Sequence, residues 1–158
     1  MKAESASRIS RDRSEVLDLL RRNGVGPLDA LLDHVVGTLH ARFSHYTGVY
    51  LYWMDGPDAL VLRAFRGRPT EHTRIPVAVG ICGKAAREKR TVIVDDVGAD
   101  PAYLACSLET RSEIVVPIMS HGVVLGEIDI DGDAAKAYGP ADQRFLEEVA
   151  GLIAARAG

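Results

Sequence analysis

Gly126-Glu127-Ile128-Asp129-Ile130-Asp131 alternates carboxylates with isoleucines, and only a strand, whose successive side chains point to opposite faces, sorts the two kinds onto separate sides. The isoleucine face has to be covered by a core. The other face carries three like charges, whose ordinary fate is a solvated strand face that also blunts a sheet edge. A sharper reading needs a partner strand. If the turn before this strand spans residues 120–122, Glu113 sits across from Asp129 and a fourth carboxylate joins the set. A two-residue turn places Glu113 on the other face, unless a bulge near Pro117 resets the register. Clustered carboxylates in a partly dry pocket keep at least one proton, because desolvation and mutual repulsion disfavour ionisation. The neutral acid can then protonate an oxygen, while ionised neighbours bind an ammonium.

The rest of the chain supplies a cover for such a strand. After a polar first dozen residues, Ser10 or Ser14 caps a short helix carrying Val16, Leu17, Leu19 and Leu20, and Gly24-Val25-Gly26-Pro27 stops it. Pro27 suits the first turn of a second helix, in which Leu28, Leu31, Leu32, Val35, Val36 and Leu39 share one face. Residues 48–53 and 59–65 read as a hairpin about Asp55-Gly56-Pro57-Asp58. A strand at 74–77, a helix from Gly80 through Arg90 and a strand at 91–94 follow. Residues 95–110 have no period and read as an irregular surface loop of a length that is uncommon unless it binds something. A second hairpin joins 113–119 to 123–131, and Gly139-Pro140 opens a terminal helix with Phe145, Leu146, Val149, Leu152 and Ile153 inward. Hairpin-joined strands with helices at both ends predict an α+β fold, one antiparallel sheet with helices on it. A single domain over 1–158 is expected, with 1–12 flexible, helices in 14–43 and the core in 46–158.

Charge removes several functions. With 19 Lys+Arg against 22 Asp+Glu and a net charge of -3, the chain lacks the basic excess that neutralises nucleic-acid phosphates. No apolar run approaches the roughly 18 residues of a membrane span. The N-terminus carries Arg8, Arg11, Asp12 and Arg13 in place of a hydrophobic secretion core, so a cytoplasmic location is expected.

In such a compartment two cysteines, Cys82 and Cys106, are too few for a disulfide scaffold or a zinc knuckle. Cys82 falls at the start of a predicted helix, where free N–H groups favour the thiolate; the plainer alternative is a small buried core residue. Cys106 lies in the irregular loop, either as a reachable, mobile thiol or as a bystander. Two thiols can run a cycle in which a sulfenic acid condenses to a disulfide. The histidines, His34, His40, His45, His72 and His121, show no ligand spacing, and no metal site is expected; a zinc site from Cys82, Cys106, His72 and His121 would need four distant residues to converge. Tyr46, Tyr50, Tyr52 and Trp53 line an apolar pocket or belong to the core.

Taken in order, Tyr46-Thr47-Gly48-Val49-Tyr50, Arg74-Ile75-Pro76-Val77, Gly80-Ile81-Cys82-Gly83, Ala105-Cys106, Ser112 to Pro117 and Gly126 to Asp131 resemble the free methionine-(R)-sulfoxide reductases, which are stand-alone GAF domains. The resemblance runs from about Phe43 to the C-terminus. It implies a central antiparallel sheet with the N- and C-terminal helices on one face and a ligand pocket on the other. It also implies reduction of free L-methionine (R)-sulfoxide in preference to protein-bound methionine sulfoxide. By that likeness Cys106 is the nucleophile and ends as a sulfenic acid. Glu113, Asp129 and Asp131 bind the sulfoxide oxygen and the amino group, Tyr46 and Tyr50 hold the methyl sulfur end, and no cofactor is bound. An external dithiol such as thioredoxin resets the enzyme, and homodimers are implied. One departure stands out: where the family has a third cysteine, this chain has His72, so either Cys82 or an external thiol must resolve Cys106. The other functional class is a GAF module that holds a small ligand or senses redox state without converting anything.

Overall fold

The computed structural model describes residues 2–23, 26–99 and 109–157. Helices α1 (Lys2–Arg22) and α2 (Leu28–Arg42) lead into the hairpin β1 (Gly48–Asp55) and β2 (Ala59–Gly67). Next come β3 (Arg74–Pro76), α3 (Gly80–Glu88) and β4 (Val92–Val94), a single 3-10 turn at Val97–Ala99, the hairpin β5 (Ser112–Ser120) and β6 (Val123–Gly132), and α4 (Pro140–Ala157). All six strands form one antiparallel sheet in the order β3-β2-β1-β6-β5-β4. The α+β expectation therefore holds. Helix α1 begins at Lys2 and not at Ser10 or Ser14, because the polar leading residues include good helix formers such as Ala3, Glu4, Ala6 and Arg8. Ile9 packs that segment against the core.

Strand alternation separates the two sides of the sheet. Val49 and Leu51 of β1, Ile114, Val116 and Ile118 of β5, and Ile128 and Ile130 of β6 pack under α1, α2 and α4. Tyr50, Tyr52 and Val115 point to the opposite side, where α3 brings Ile81, Cys82 and Ala85. Among the described residues, no helix is long and apolar enough to cross a membrane.

Asp142, in the first turn of α4, fastens the helical side. Its Oδ1 accepts from Tyr46 Oη at 2.9 Å and from Arg13 at 3.0 Å, and lies 3.1 Å from His45 Nε2; its Oδ2 accepts from the Gly139 N–H at 3.1 Å. Burial alone would raise this carboxyl, and the hydrogen bonds from His45, Gly139 and Tyr46 outweigh it, holding the group at about 2. A carboxyl depressed on folding contributes stability above its unfolded value near 3.9, and loses it as pH falls through the folded value. Acid titration of stability should therefore show a loss of roughly 2 kcal/mol between about pH 4 and pH 2. That segment should vanish in Asp142→Asn, as read by urea melts at each pH.

Candidate active site

The β5–β6 turn decides what Glu113 faces. It is a two-residue turn, Ser120 pairing with Val123, and both central residues are left-handed, His121 at φ 50° and Gly122 at φ 78°, as the twist of a tight hairpin favours. Such a turn alone would set Glu113 opposite Ile130. One extra residue on β6 corrects this: Met119 pairs with Val124 but Ile118 with Gly126, leaving Leu125 as the bulge. Glu113 consequently pairs with Asp131, not Asp129, and stays on the carboxylate face. At the neighbouring Gly126 a Cβ would lie 2.3 Å from Tyr52 O and 2.6 Å from the Trp53 ring, so only glycine lets β6 approach β1 there.

The carboxylate face is neither solvated nor at an edge. β6 lies between β1 and β5, and Glu113, Glu127, Asp129 and Asp131 are 4%, 0%, 2% and 3% exposed. Helix α3 roofs them, and the Cys82 thiol donates to Asp129 Oδ2 at 3.4 Å. Glu113 shares a side-chain hydrogen bond with Asp129. Both Glu127 oxygens, Asp129 Oδ1 and Asp131 Oδ1 are buried with no hydrogen-bond partner. A narrow cavity of about 10 Å³ lies between His72, Ile75, Ile81, Cys82, Glu113 and Asp129.

Burial sets the protonation of this cluster. It raises Asp129 above the ordinary carboxylate value, with the Glu113 and Cys82 hydrogen bonds and nearby His72 offsetting part of the effect. Glu127 and Asp131 are pushed well up by burial and by the charge of Asp129, partly countered by Cys82 and by Arg68 respectively. Burial also raises Cys82, and Asp129, Glu127 and Glu113 raise it further. The helix-start argument for a Cys82 thiolate is thereby overturned: three acids and a dry environment outweigh the amides of one helical turn.

The structure brings Cys82, Glu113, Asp129 and Asp131 together on one side of the sheet. Tyr50 shares that side, its hydroxyl donating to Arg68 O at 2.6 Å and its ring stacked on Phe65. Tyr46 does not join them. It precedes β1, lies in the helix-side core and donates its hydroxyl to Asp142. Cys106 lies outside the described residues. The ends of the segment that carries it are held together, the Val97 N–H donating to Arg111 O at 2.9 Å and Val94 pairing with Glu113. Two residues went unassigned from the sequence. Glu127 was within reach of the alternation argument. Arg68 was not: its pairing with Asp133 at 2.5 and 2.6 Å and with Glu109 at 2.9 Å joins segments far apart in the chain.

Residues 27–156 match the GAF domain model. The free methionine-R-sulfoxide reductase of Saccharomyces cerevisiae is 41% identical over 110 residues, 69% of this chain and 61% of that protein. The solved free methionine-R-sulfoxide reductase of Neisseria meningitidis, in complex with its substrate, superposes with a TM-score of 0.83 at 33% identity, covering 91% of this chain and 84% of that one. The type II free methionine-R-sulfoxide reductase of Thermoplasma acidophilum gives 0.79 at 34% identity, covering 82% and 91%. The buried acid face, the roofing helix and these likenesses agree, and the chain belongs to the GAF domain family, among the free methionine-R-sulfoxide reductases.

Proposed function

We propose that this chain reduces free L-methionine (R)-sulfoxide, with Cys106 as nucleophile and the Glu113–Asp129 carboxyl pair as proton donor. The observation that carries the reading is the buried acid pair facing a small cavity on a scaffold shared with enzymes of that name. Cys106 attacks the sulfoxide sulfur and a carboxylic acid protonates the oxygen; in net, thiol and sulfoxide become sulfenic acid and methionine. Asp131, Glu127 and the ionised partner of the acid pair hold the substrate ammonium, whose charge compensates carboxylates that burial otherwise keeps neutral. A second thiol then condenses with the sulfenic acid, releasing water and leaving a disulfide. Cys82 serves here, its proton passing to Asp129, which already accepts it in a hydrogen bond. An external dithiol such as thioredoxin reduces the disulfide, in a reducing compartment such as the cytoplasm. A homodimer is the proposed assembly.

The test is an assay of free methionine (R)- and (S)-sulfoxide and N-acetylmethionine (R)-sulfoxide. The free R form should turn over, and N-acetylation should lower kcat/KM by about 100-fold or more, since a buried acid is then left without its cation. Equal rates on the free and acetylated forms would reject the ammonium assignment. Tight binding without turnover would favour the ligand-sensing class.

A further inference from the structure

Four side chains of different chemistry converge on the cavity: a thiol, two carboxyls and an imidazole. Cys82 Sγ, one Glu113 oxygen and one Asp129 oxygen all lie within 4.8 Å of one another, and Sγ and Asp129 Oδ2 are 3.4 Å apart. His72 reaches the same cavity from the segment between β2 and β3. That segment is pinned on both sides of the residue's backbone, the Tyr52 hydroxyl donating to His72 O at 2.7 Å and the His72 N–H to Thr70 Oγ1 at 3.0 Å. A second observation comes from an unsatisfied atom. Asp129 Oδ1, on the cavity wall, is buried without a hydrogen-bond partner, an acceptor that a cation would engage.

The donor set selects among cations. Mg²⁺ and Ca²⁺ take oxygen ligands in larger numbers, whereas one thiolate, one imidazole and two carboxylates suit a four-coordinate, borderline-soft ion. With Zn–S about 2.3 Å and Zn–O about 2.0–2.2 Å, a tetrahedral site has donor separations of roughly 3.3–3.6 Å. The Cys82–Asp129 distance already meets this; the Glu113 oxygen, within 4.8 Å of both, has to close by about an ångström, and the His72 ring, on the same cavity wall, has to turn in to complete the set.

We propose that the cavity is also a zinc-binding site, formed by Cys82, Glu113, Asp129 and His72, and that the bound ion excludes the sulfoxide substrate. As the Sγ–Zn bond forms, the Cys82 proton and any carboxyl proton leave to solvent; no electron is transferred. The exclusion half rests on the proposed reductase function, since the ion takes the acid pair that the substrate would use. Zinc binding itself does not depend on that reading.

Cys106→Ser protein, in which Cys82 is the remaining thiol, should be titrated with Cd²⁺ and Co²⁺, and its Zn²⁺ affinity measured by competition with a chromophoric chelator. One equivalent of Cd²⁺ should give a thiolate-to-metal charge-transfer band, and Co²⁺ should give the visible spectrum of a tetrahedral site. Adding Cys82→Ser should abolish the band. His72→Ala should weaken Zn²⁺ by about tenfold or more, and His72→Cys should restore it; circular dichroism checks that each variant is folded. No band at one equivalent, or a band and affinity indifferent to His72→Ala, would overturn the site. In the wild type, Zn²⁺ should raise the apparent KM for free methionine (R)-sulfoxide. Turnover with no metal signal would sink the zinc site alone, and a metal signal without turnover would sink the reductase reading alone.

Discussion

Cys106→Ser should lower reduction of free methionine (R)-sulfoxide by about 10³-fold or more, because a serine hydroxyl is a far weaker nucleophile at sulfur than a thiolate. Cys82→Ser should behave differently. The first step needs only Cys106 and an acid, so one methionine per chain should still appear in a single-turnover burst, and dimedone should trap Cys106 as its sulfenic acid. Steady turnover with thioredoxin should then fall by an order of magnitude or more, while turnover with dithiothreitol, which attacks the sulfenic acid directly, should persist. The asymmetry follows from the position of Cys82. It is buried under α3, is held as the thiol by burial and the neighbouring acids, and is hydrogen-bonded to Asp129. Such a sulfur is poorly placed to start a reaction, yet it has a proton acceptor ready once a sulfenic acid is presented to it. The decisive measurement is quenched-flow methionine release with each variant; a wild-type burst from Cys106→Ser would remove Cys106 from the mechanism.

Much of this arrangement could be read from the residue order, and the exceptions share a cause. The alternation of Glu127, Asp129 and Asp131 with Ile128 and Ile130 placed the acids on one face, because strand parity is local. Whether that face was wet or dry depended on which strands flank β6 and on what roofs it. Those are long-range facts, settled by β1 on one side, β5 on the other and α3 above. The partner of Glu113 hinged on a turn and a bulge together. Ser120-His121-Gly122 supports a two- or a three-residue turn equally well, and the bulge at Leu125 sits beside Gly126, where β6 meets Trp53. Tyr46 illustrates the opposite case. It lies outside β1, so no parity argument applied to it, and Asp142, 96 positions away, claims its hydroxyl. Cys82 was located correctly at a helix start, but the sign of its electrostatics came from acids that only folding brings near it.

Asp129→Asn should lower kcat/KM by about 10³-fold and at the same time raise the thermal midpoint. Asp129 is the hub of the cluster. It shares a hydrogen bond with Glu113, accepts the Cys82 thiol and raises both Glu127 and Asp131. An asparagine keeps the size but has no acidic proton, so the general-acid contribution, typically 10²–10⁴, is lost, and one anionic partner for the ammonium goes with it. Stability should move the other way. Four carboxyls sit together below the surface with several oxygens unsatisfied, and an uncompensated buried acid costs folding free energy. An amide carries no charge and offers two N–H donors to the Glu113 and Glu127 oxygens. A gain of about 1 kcal/mol corresponds to roughly 2–4 °C in a chain of this size. Activity falling while Tm rises is the signature of a group retained for chemistry at the expense of stability, and scanning calorimetry beside the kinetic assay reads both. A loss of activity accompanied by a lower Tm would mark Asp129 as a structural residue, and unchanged activity would take the proton-donor role away from the pair.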